Sequence, residues 1–221
     1  MTTLTAIIPV YNERQALAST LAEWVPALTE VGAEILVIDD GSTDGAFDGA
    51  IGFGNVTVLR HATNRGYGAA LKTGLAAATG ELILTLDADG TYPASSFPPM
   101  WAARDAHMVI GARSSEPDRL KAVVKSLVFA LAGLVAGTRI PDLNTGLRLV
   151  RSDLARQWAS SLPDGFSATT TMTMAALLER RTIVWVPIDY RRRIGPSKFH
   201  PIKDTLRLTR QVIRSRSLFR R

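Results

Sequence analysis

Cysteine is missing from all 221 residues, so neither a disulfide framework nor a thiolate metal centre is open to this chain. The absence fits a reducing compartment. Met1–Thr5 offers neither the basic start nor the apolar core of a secretion signal. No apolar run reaches the roughly 18 to 20 residues of a membrane-spanning helix; the nearest candidate, SLVFALAGLVAG (126–137), is too short to cross. Several catalytic signatures are lacking too. There is no G-x-x-x-x-G-K-[ST] phosphate loop and no G-x-S-x-G elbow. The histidines at 61, 107 and 200 stand in unrelated contexts and read as structural. NRGYGAALKTG (64–74) holds a G-x-G, but its next glycine is misplaced and it does not follow the first strand, which excludes a nicotinamide-binding fingerprint.

What is present is an ordinary globular composition, 46% hydrophobic and 21% charged, sufficient for one sizeable domain. The net charge of +6 hides an asymmetry. Residues 190–221 carry eleven Lys and Arg against a single acid, Asp204, for a net +10, which leaves −4 on the rest. A basic end on a mildly acidic body suits a polyanion: a nucleic acid, anionic lipid headgroups or a phosphorylated substrate.

Along the chain, short apolar runs alternate with helical patterns. LTAIIPV (4–10), AEILVIDD (33–40), VTVLRH (56–61), ELILTLD (81–87) and AHMVIGAR (106–113) read as strands. ERQALASTLAEWVPAL (13–28) reads as a helix kinked or shortened at Pro26, and GYGAALKTGLAAATG (66–80) as a helix stopped by Gly80. Near-continuous apolar strands between helices predict an α/β fold whose parallel sheet is covered on both faces. Ligands bind at the carboxyl ends of strands in such sheets. Four strand ends carry polar clusters: Tyr11-Asn12-Glu13, Asp39-Asp40-Gly41-Ser42, Asp87-Ala88-Asp89 and Gly111-Ala112-Arg113. Any one of these could be a helix cap or a turn; together they predict a shared rim.

The third cluster is the most informative. LTLDADGTYP (84–93) ends an apolar strand on two carboxylates one residue apart. Hard oxygen ligands without His or Cys beside them select Mg²⁺ or Mn²⁺, ions that complete their octahedra with water and substrate phosphates. Side chains alternate along a strand, so both acids reach one ion only if the backbone turns, which Gly90 permits.

With PVYNE (9–13), DDGSTDG (39–45), NRGYGAAL (64–71), DADGTYP (87–93), GAR (111–113), DLNTGLR (142–148) and YRRRIGPSK (190–198) in this order, the chain resembles the inverting family 2 glycosyltransferases of the GT-A fold, and within them the dolichol-phosphate mannose synthase group. The resemblance implies a Rossmann-like, mostly parallel sheet covered by helices, over residues 1–200. It implies that Pro9, Tyr11, Glu13, Ile38 and Asp40 border the nucleoside, Tyr11 against the base and Asp40 on base or ribose. Asp87, Ala88 and Asp89 would flank the diphosphate, with Asp87 and Asp89 as metal ligands for Mg²⁺ or Mn²⁺. Arg113, Arg192 and Lys198 would hold phosphates of donor and acceptor, joined by Ser197 and Arg148 on the acceptor side, and Asp89, Arg113 and Lys198 would carry catalysis. Where the resembled synthases often have glutamine two residues after the second acid, this chain has Thr91.

The implied activity is inverting transfer of a hexose from a GDP-mannose or UDP-glucose type donor to a dolichyl or undecaprenyl phosphate. A phosphate acceptor is already anionic, whereas a hydroxyl acceptor needs a general base. Hydroxyl-directed relatives often carry an acid pair in the region of GFSATTTMTMAALLE (165–179), where this chain offers Ser167, Thr169, Thr170, Thr171 and Thr173 and no acid before Glu179. That favours a phosphate acceptor and leaves Asp142 as the base to consider for a hydroxyl. Residues 117–140 combine Arg119, Lys121 and Lys125 with an apolar stretch, as an interfacial helix does. In 201–221, Lys203, Arg207, Arg210 and Arg214 recur at helical spacing with Leu206, Val212 and Ile213 between them, as on a helix attracted to anionic lipid. The expected place is the cytoplasmic membrane face, peripherally, or the cytoplasm. Two other readings stand beside this one. One is a family 2 enzyme acting on a sugar or protein hydroxyl. The other is a non-catalytic nucleotide-sugar or nucleic-acid module, ranked last because the tail has only Phe199 and Phe219 for stacking on bases. Oligomeric state is left open.

Overall fold

In a computed structural model of the chain, the described residues are 2–48, 55–113, 119–196 and 201–219. The elements, in order, are β1 (Leu4–Val10), α1 (Leu17–Glu30), β2 (Glu34–Asp39), β3 (Val56–Arg60), α2 (Tyr67–Ala77), β4 (Leu82–Thr85), α3 (Phe97–Ala102), β5 (Met108–Arg113), α4 (Arg119–Ala136), β6 (Arg148–Arg151), α5 (Ser152–Ala159), α6 (Ala168–Leu178), β7 (Ile183–Ile188) and α7 (Pro201–Phe219). Among the described residues the strands form one seven-stranded sheet in the order β3-β2-β1-β4-β6-β5-β7. Every pairing is parallel except those of β6, which runs antiparallel to both β4 and β5.

Strand alternation explains the two-sided core. In β1, Leu4, Ala6, Ile8 and Val10 face a cluster that includes Leu21, Trp24 and Leu28 of α1 and Phe97 of α3. Ile7 points the other way, into a cluster with Leu71 and Leu75 of α2, Trp158 of α5 and Met172 of α6. All seven residues of β1 are buried, as a central parallel strand requires. Pro26 does not end its helix: α1 continues to Glu30. Pro26 is exposed while Trp24, Val25 and Leu28 are buried, so the backbone bond it removes lies on the solvent side, where water replaces it. The second helix stops at Ala77, before Gly80.

Helix α6 is buried nearly all round despite four threonines. Threonine is tolerated there because its hydroxyl can bond back to the preceding turn. Thr171 donates to Ser167 O (2.9 Å), and Thr173 donates to Thr169 O (3.1 Å) and Leu143 O (3.0 Å). A third apolar cluster joins Val128 and Ala132 of α4, Met174 of α6, and Leu208 and Val212 of α7. Opposite that seam, α4 exposes Leu127 and Leu134, and α7 exposes Leu206, Ile213 and Leu218. No helix among the described residues is long and apolar enough to cross a membrane.

Candidate active site

The sheet order changes direction at β1, whose neighbours β2 and β4 are reached by connections running opposite ways. A crevice opens at such a point, outside the carboxyl ends of the strands. The segments that follow β1, β2, β4 and β7 and the carboxyl end of β5 meet at this rim, and the antiparallel β6 brings the segment before it, 142–147, to the same side.

On the β1–β2 side the loops are tied together. Asn12 takes a left-handed conformation (φ 53°). Its amide nitrogen donates to Ser42 Oγ (3.0 Å), and its side-chain oxygen accepts from Thr43 N (2.7 Å). Asp39 is held by Arg60 Nε at 2.8 Å and by Ser42 N at 2.8 Å. Tyr11 is half-buried beside them. Pro9 and Ile38 face each other in register and both are buried, with Ile38 packed in the core, so they shape the floor of this side. Asp40 departs from the expected contact with base or ribose. It is 2% exposed, and its two oxygens accept from His61 Nδ1 (2.6 Å), Asn64 Nδ2 (3.0 Å), Arg65 N (2.9 Å) and Gly66 N (2.8 Å). A carboxylate spent in this way fixes the 64–66 loop at the start of α2, and it explains His61, which bridges Asp40 to Thr73.

On the β4 side, Gly90 makes the expected turn at φ +75°. Asp89 is 6% exposed. Its Oδ1 accepts from the backbone (3.1 Å) and hydroxyl (2.6 Å) of Thr91, and its Oδ2 accepts from Arg193 Nη1 (2.5 Å). Thr91, at the position that sets this chain apart from the resembled synthases, therefore orients the second acid. Ala88 between the acids is buried, with its carbonyl accepting from Thr20 Oγ1 at 3.3 Å. Asp87 accepts from the Tyr67 hydroxyl at 2.9 Å. A Cβ on Gly146 would fall 2.2 Å from its carboxylate, so that close approach requires glycine. Burial, and then the charge of Asp89, push the Asp87 carboxyl up to about 6, against the Tyr67 hydrogen bond and the positive charge of Arg193 and Arg113.

On the third side, Arg113 forms a bidentate pair with Asp142 (Nε–Oδ2 2.6 Å, Nη2–Oδ1 2.8 Å) and also reaches Asn144 Oδ1 at 3.0 Å. Its guanidinium lies 5.1 Å over the Tyr190 ring. Burial works against its charge, but the hydrogen bonds and field of Asp142 outweigh burial and hold the guanidinium above its usual range. Asp142, 2% exposed, is held in that pair as the counter-ion of Arg113. Glu179 is bonded to Arg181 and Trp158 at the far end of α6.

Arg148 is a correction. It is 0% exposed, with its donors used on Thr145 O (3.0 and 2.6 Å), Thr169 O (2.7 Å) and Thr173 Oγ1 (2.9 Å). Burial pushes it down to about 10. It braces β6 against α6 inside the protein, with four hydrogen bonds where a phosphate contact was expected.

The loop after β7 closes the rim. Arg191 N donates to Thr91 O (2.9 Å) and Ile194 N to Asp89 O (3.1 Å). Arg191 pairs with Glu23, Arg192 is exposed, and Arg193 forks between Asp89 and Glu13. Ser197 and Lys198 lie outside the described residues. Arg193, Tyr67 and Gly146 are the rim residues that sequence reasoning did not single out; each sits inside a motif quoted above.

The donor set fits a divalent cation. Two hard carboxylates meet at this rim, and burial, with the charge of Asp89 added to it, raises the Asp87 carboxyl, a penalty that a cation offsets. Among the described residues no group of three or more His, Cys, Asp or Glu gathers, so protein ligands alone would not complete a coordination shell. Ions that share their ligation with phosphate oxygens are bound in this way.

Comparison with known proteins agrees with this geometry. The family described as glycosyl transferase family 2 matches residues 5–127. A curated protein of Haloferax volcanii, dolichyl-phosphate hexose transferase, is 27% identical over 217 residues, covering 96% of this chain and 92% of that protein. Among solved structures, glucosyl-3-phosphoglycerate synthase from Mycobacterium tuberculosis with Mn²⁺, UDP and glucosyl-3-phosphoglycerate superposes with a TM-score of 0.74 at 21% identity, covering 97% of this chain and 78% of that one. The same enzyme with Mn²⁺, UDP-glucose and phosphoglyceric acid also gives 0.74, again at 21% identity, with 97% and 78% coverage.

Proposed function

The chain belongs to glycosyl transferase family 2 and is a glycosyltransferase, and from that premise we propose that it transfers a hexose, with inversion, from a nucleotide sugar of the GDP-mannose or UDP-glucose type to a polyprenyl phosphate. The observation that carries this reading is the acid pair Asp87–Asp89 at the crevice beside β1, with arginines on two sides of it. Asp87 and Asp89 would hold Mg²⁺ or Mn²⁺, which when bound supplies positive charge to a departing diphosphate. Tyr67 and Thr91 hold the two carboxylates in place. Tyr11, half-buried after the end of β1, would meet the nucleoside. Arg113 and Arg192, with Lys198, would bind phosphate oxygens of donor and acceptor.

In the transfer, the bond between the anomeric carbon and the diphosphate oxygen breaks, and a phosphate oxygen of the acceptor forms the new bond from the opposite face. The acceptor oxygen is already ionised and loses no proton. This suits a site whose candidate base, Asp142, is committed to Arg113, and whose helix α6 carries buried threonines and no acid. The Haloferax relative's name supports a lipid phosphate acceptor; the mycobacterial neighbours, with phosphoglyceric acid, support a phosphorylated acceptor of another kind.

A lipid acceptor implies a membrane surface. Leu127, Leu134, Leu206 and Ile213 are exposed on α4 and α7, and Leu206 and Ile213 line a shallow groove with Arg210 and Arg214. Exposed leucines interleaved with arginines on helices too short or too polar to span suit peripheral docking on anionic lipid at the cytoplasmic face. The side chains of 119–126 and 201–203, which include the lysines expected to help, lie outside the described residues. The test incubates the protein with Mn²⁺ or Mg²⁺, GDP-mannose or UDP-glucose, and one of three acceptors: a short-chain polyprenyl phosphate, 3-phosphoglycerate or a simple glycoside. Product on the lipid phosphate alone is expected. Product on a hydroxyl acceptor but not on the lipid phosphate would overturn the reading.

A further inference from the structure

Arg193 is out of place for a residue that merely closes a loop. It is only 25% exposed at its side chain, and both arms of its guanidinium end on acids at the heart of the crevice: Nη1 on Asp89 Oδ2 at 2.5 Å, and Nη2 on Glu13 Oε1. These acids come from the ends of β4 and β1, 104 and 180 residues away in sequence. Its neighbours in the Arg191–Arg193 run behave differently, Arg191 pairing with the outlying Glu23 and Arg192 standing exposed. The backbone on either side of Arg193 is pinned to the acid loop by Arg191 N to Thr91 O and Ile194 N to Asp89 O, so the side chain is delivered to the acids and does not wander there.

The consequence is a conflict over one oxygen. Asp89 Oδ1 is taken by Thr91, which leaves Oδ2 as the atom to face a cation, and Arg193 covers Oδ2. A guanidinium and a divalent ion on this one oxygen compete for its lone pairs and repel one another. We propose that Arg193 is the resident counter-ion of the acid pair, displaced from Asp89 when the divalent ion and donor diphosphate arrive, so that ion binding and the movement of the Arg193 side chain are one event. The inference rests on the reading of Asp87 and Asp89 as the cation site. It makes Arg193 a positioning residue: in the empty enzyme it keeps two buried acids neutralised, and in the loaded enzyme its freed guanidinium stays tethered within reach of the diphosphate. Its exchange involves no covalent change. A single positive charge leaves Asp89 as a double one arrives.

The test is direct Mn²⁺ binding, by calorimetry and by the loss of the free-ion EPR signal, to the wild-type protein and to Arg193→Gln, each alone and with UDP or GDP. Competition by a charge-assisted hydrogen bond predicts that Arg193→Gln binds Mn²⁺ alone at least about tenfold more tightly than wild type. A purely structural role predicts the opposite, since a disordered acid loop binds the ion less well. Equal or weaker binding by a folded Arg193→Gln overturns the proposal and leaves the cation site standing. No binding by either protein, with or without nucleotide, overturns both. If Arg193→Gln fails to fold, Arg193→Lys, which keeps the charge but loses the fork, carries the same comparison: tighter Mn²⁺ binding supports the exchange and unchanged binding refutes it.

Discussion

Lowering the pH is the perturbation to which the acid pair should respond most sharply. The Asp87 carboxyl is pushed up to about 6, first by burial and then by the charge of Asp89. The proton on Asp87 and the divalent ion therefore compete for one carboxylate. A raised carboxyl is ionised above its folded value and protonated below it, so affinity is full above about pH 7 and falls as pH drops through 6. With a value near 6, only about one Asp87 in eleven is ionised at pH 5, which weakens Mn²⁺ binding about tenfold between pH 7.5 and 5; an ordinary aspartate near 3.9 would change it by only about a tenth. The linked stability runs the other way. In the ion-free protein Asp87 takes up its proton more readily folded than unfolded, so its contribution to stability rises as pH falls from 7 towards 4. The assay is calorimetric titration with Mn²⁺ alone, because a nucleotide's own phosphate titrates in this range, with Asp87→Asn as the control that removes the step. A flat affinity between pH 7.5 and 5 would refute both the electrostatic account and the role of Asp87 as a ligand.

Two further outcomes test the division between core and rim. Arg148→Met fills similar volume but strands the carbonyls of Thr145 and Thr169, and urea unfolding should show a loss of about 3 kcal/mol; a folded variant with unchanged stability and a weakened acceptor KM would restore Arg148 to the phosphate site. Ile213→Glu, on the exposed face of α7, should lower cosedimentation with vesicles rich in phosphatidylglycerol while leaving UDP binding unchanged, and unaltered cosedimentation would remove that face from the proposed membrane contact.

Much of this architecture was legible in the sequence for one physical reason: parallel strands buried on both faces are written as apolar runs, and β1, β2, β4 and β5 are such runs, while the edge strand β3 shows through Val56, Thr57 and Val58. Two strands escaped. β6 is four residues with arginine at both ends and makes no apolar run, whereas β7 does make one, interrupted only by Pro187 as β1 is by Pro9. Missing β6 also misplaced Arg148. Along LRLV, Leu147 and Leu149 face one core cluster and Val150 the other, so period-two alternation sends Arg148 to the α5–α6 side with Val150. No arginine announces from sequence alone whether its donors will be met by water, by phosphate or by carbonyls.

The same limit applies to Asp40, legible as an acid at a strand end but not as one already saturated by four donors. The acid pair was legible because two charges closing an apolar strand before a glycine have few structural uses. Its counter-ion Arg193 was not, because that pairing joins residues 104 apart that only the folded sheet brings together.

The central claim is that Asp89 holds a divalent ion through which the diphosphate is bound. The most direct test is the affinity for UDP and GDP with and without Mn²⁺, in the wild-type protein and in Asp89→Ala. Mn²⁺ should tighten nucleotide binding in the wild type at least about tenfold and have no effect in the variant. A variant that folds and keeps the full Mn²⁺ enhancement would contradict the claim.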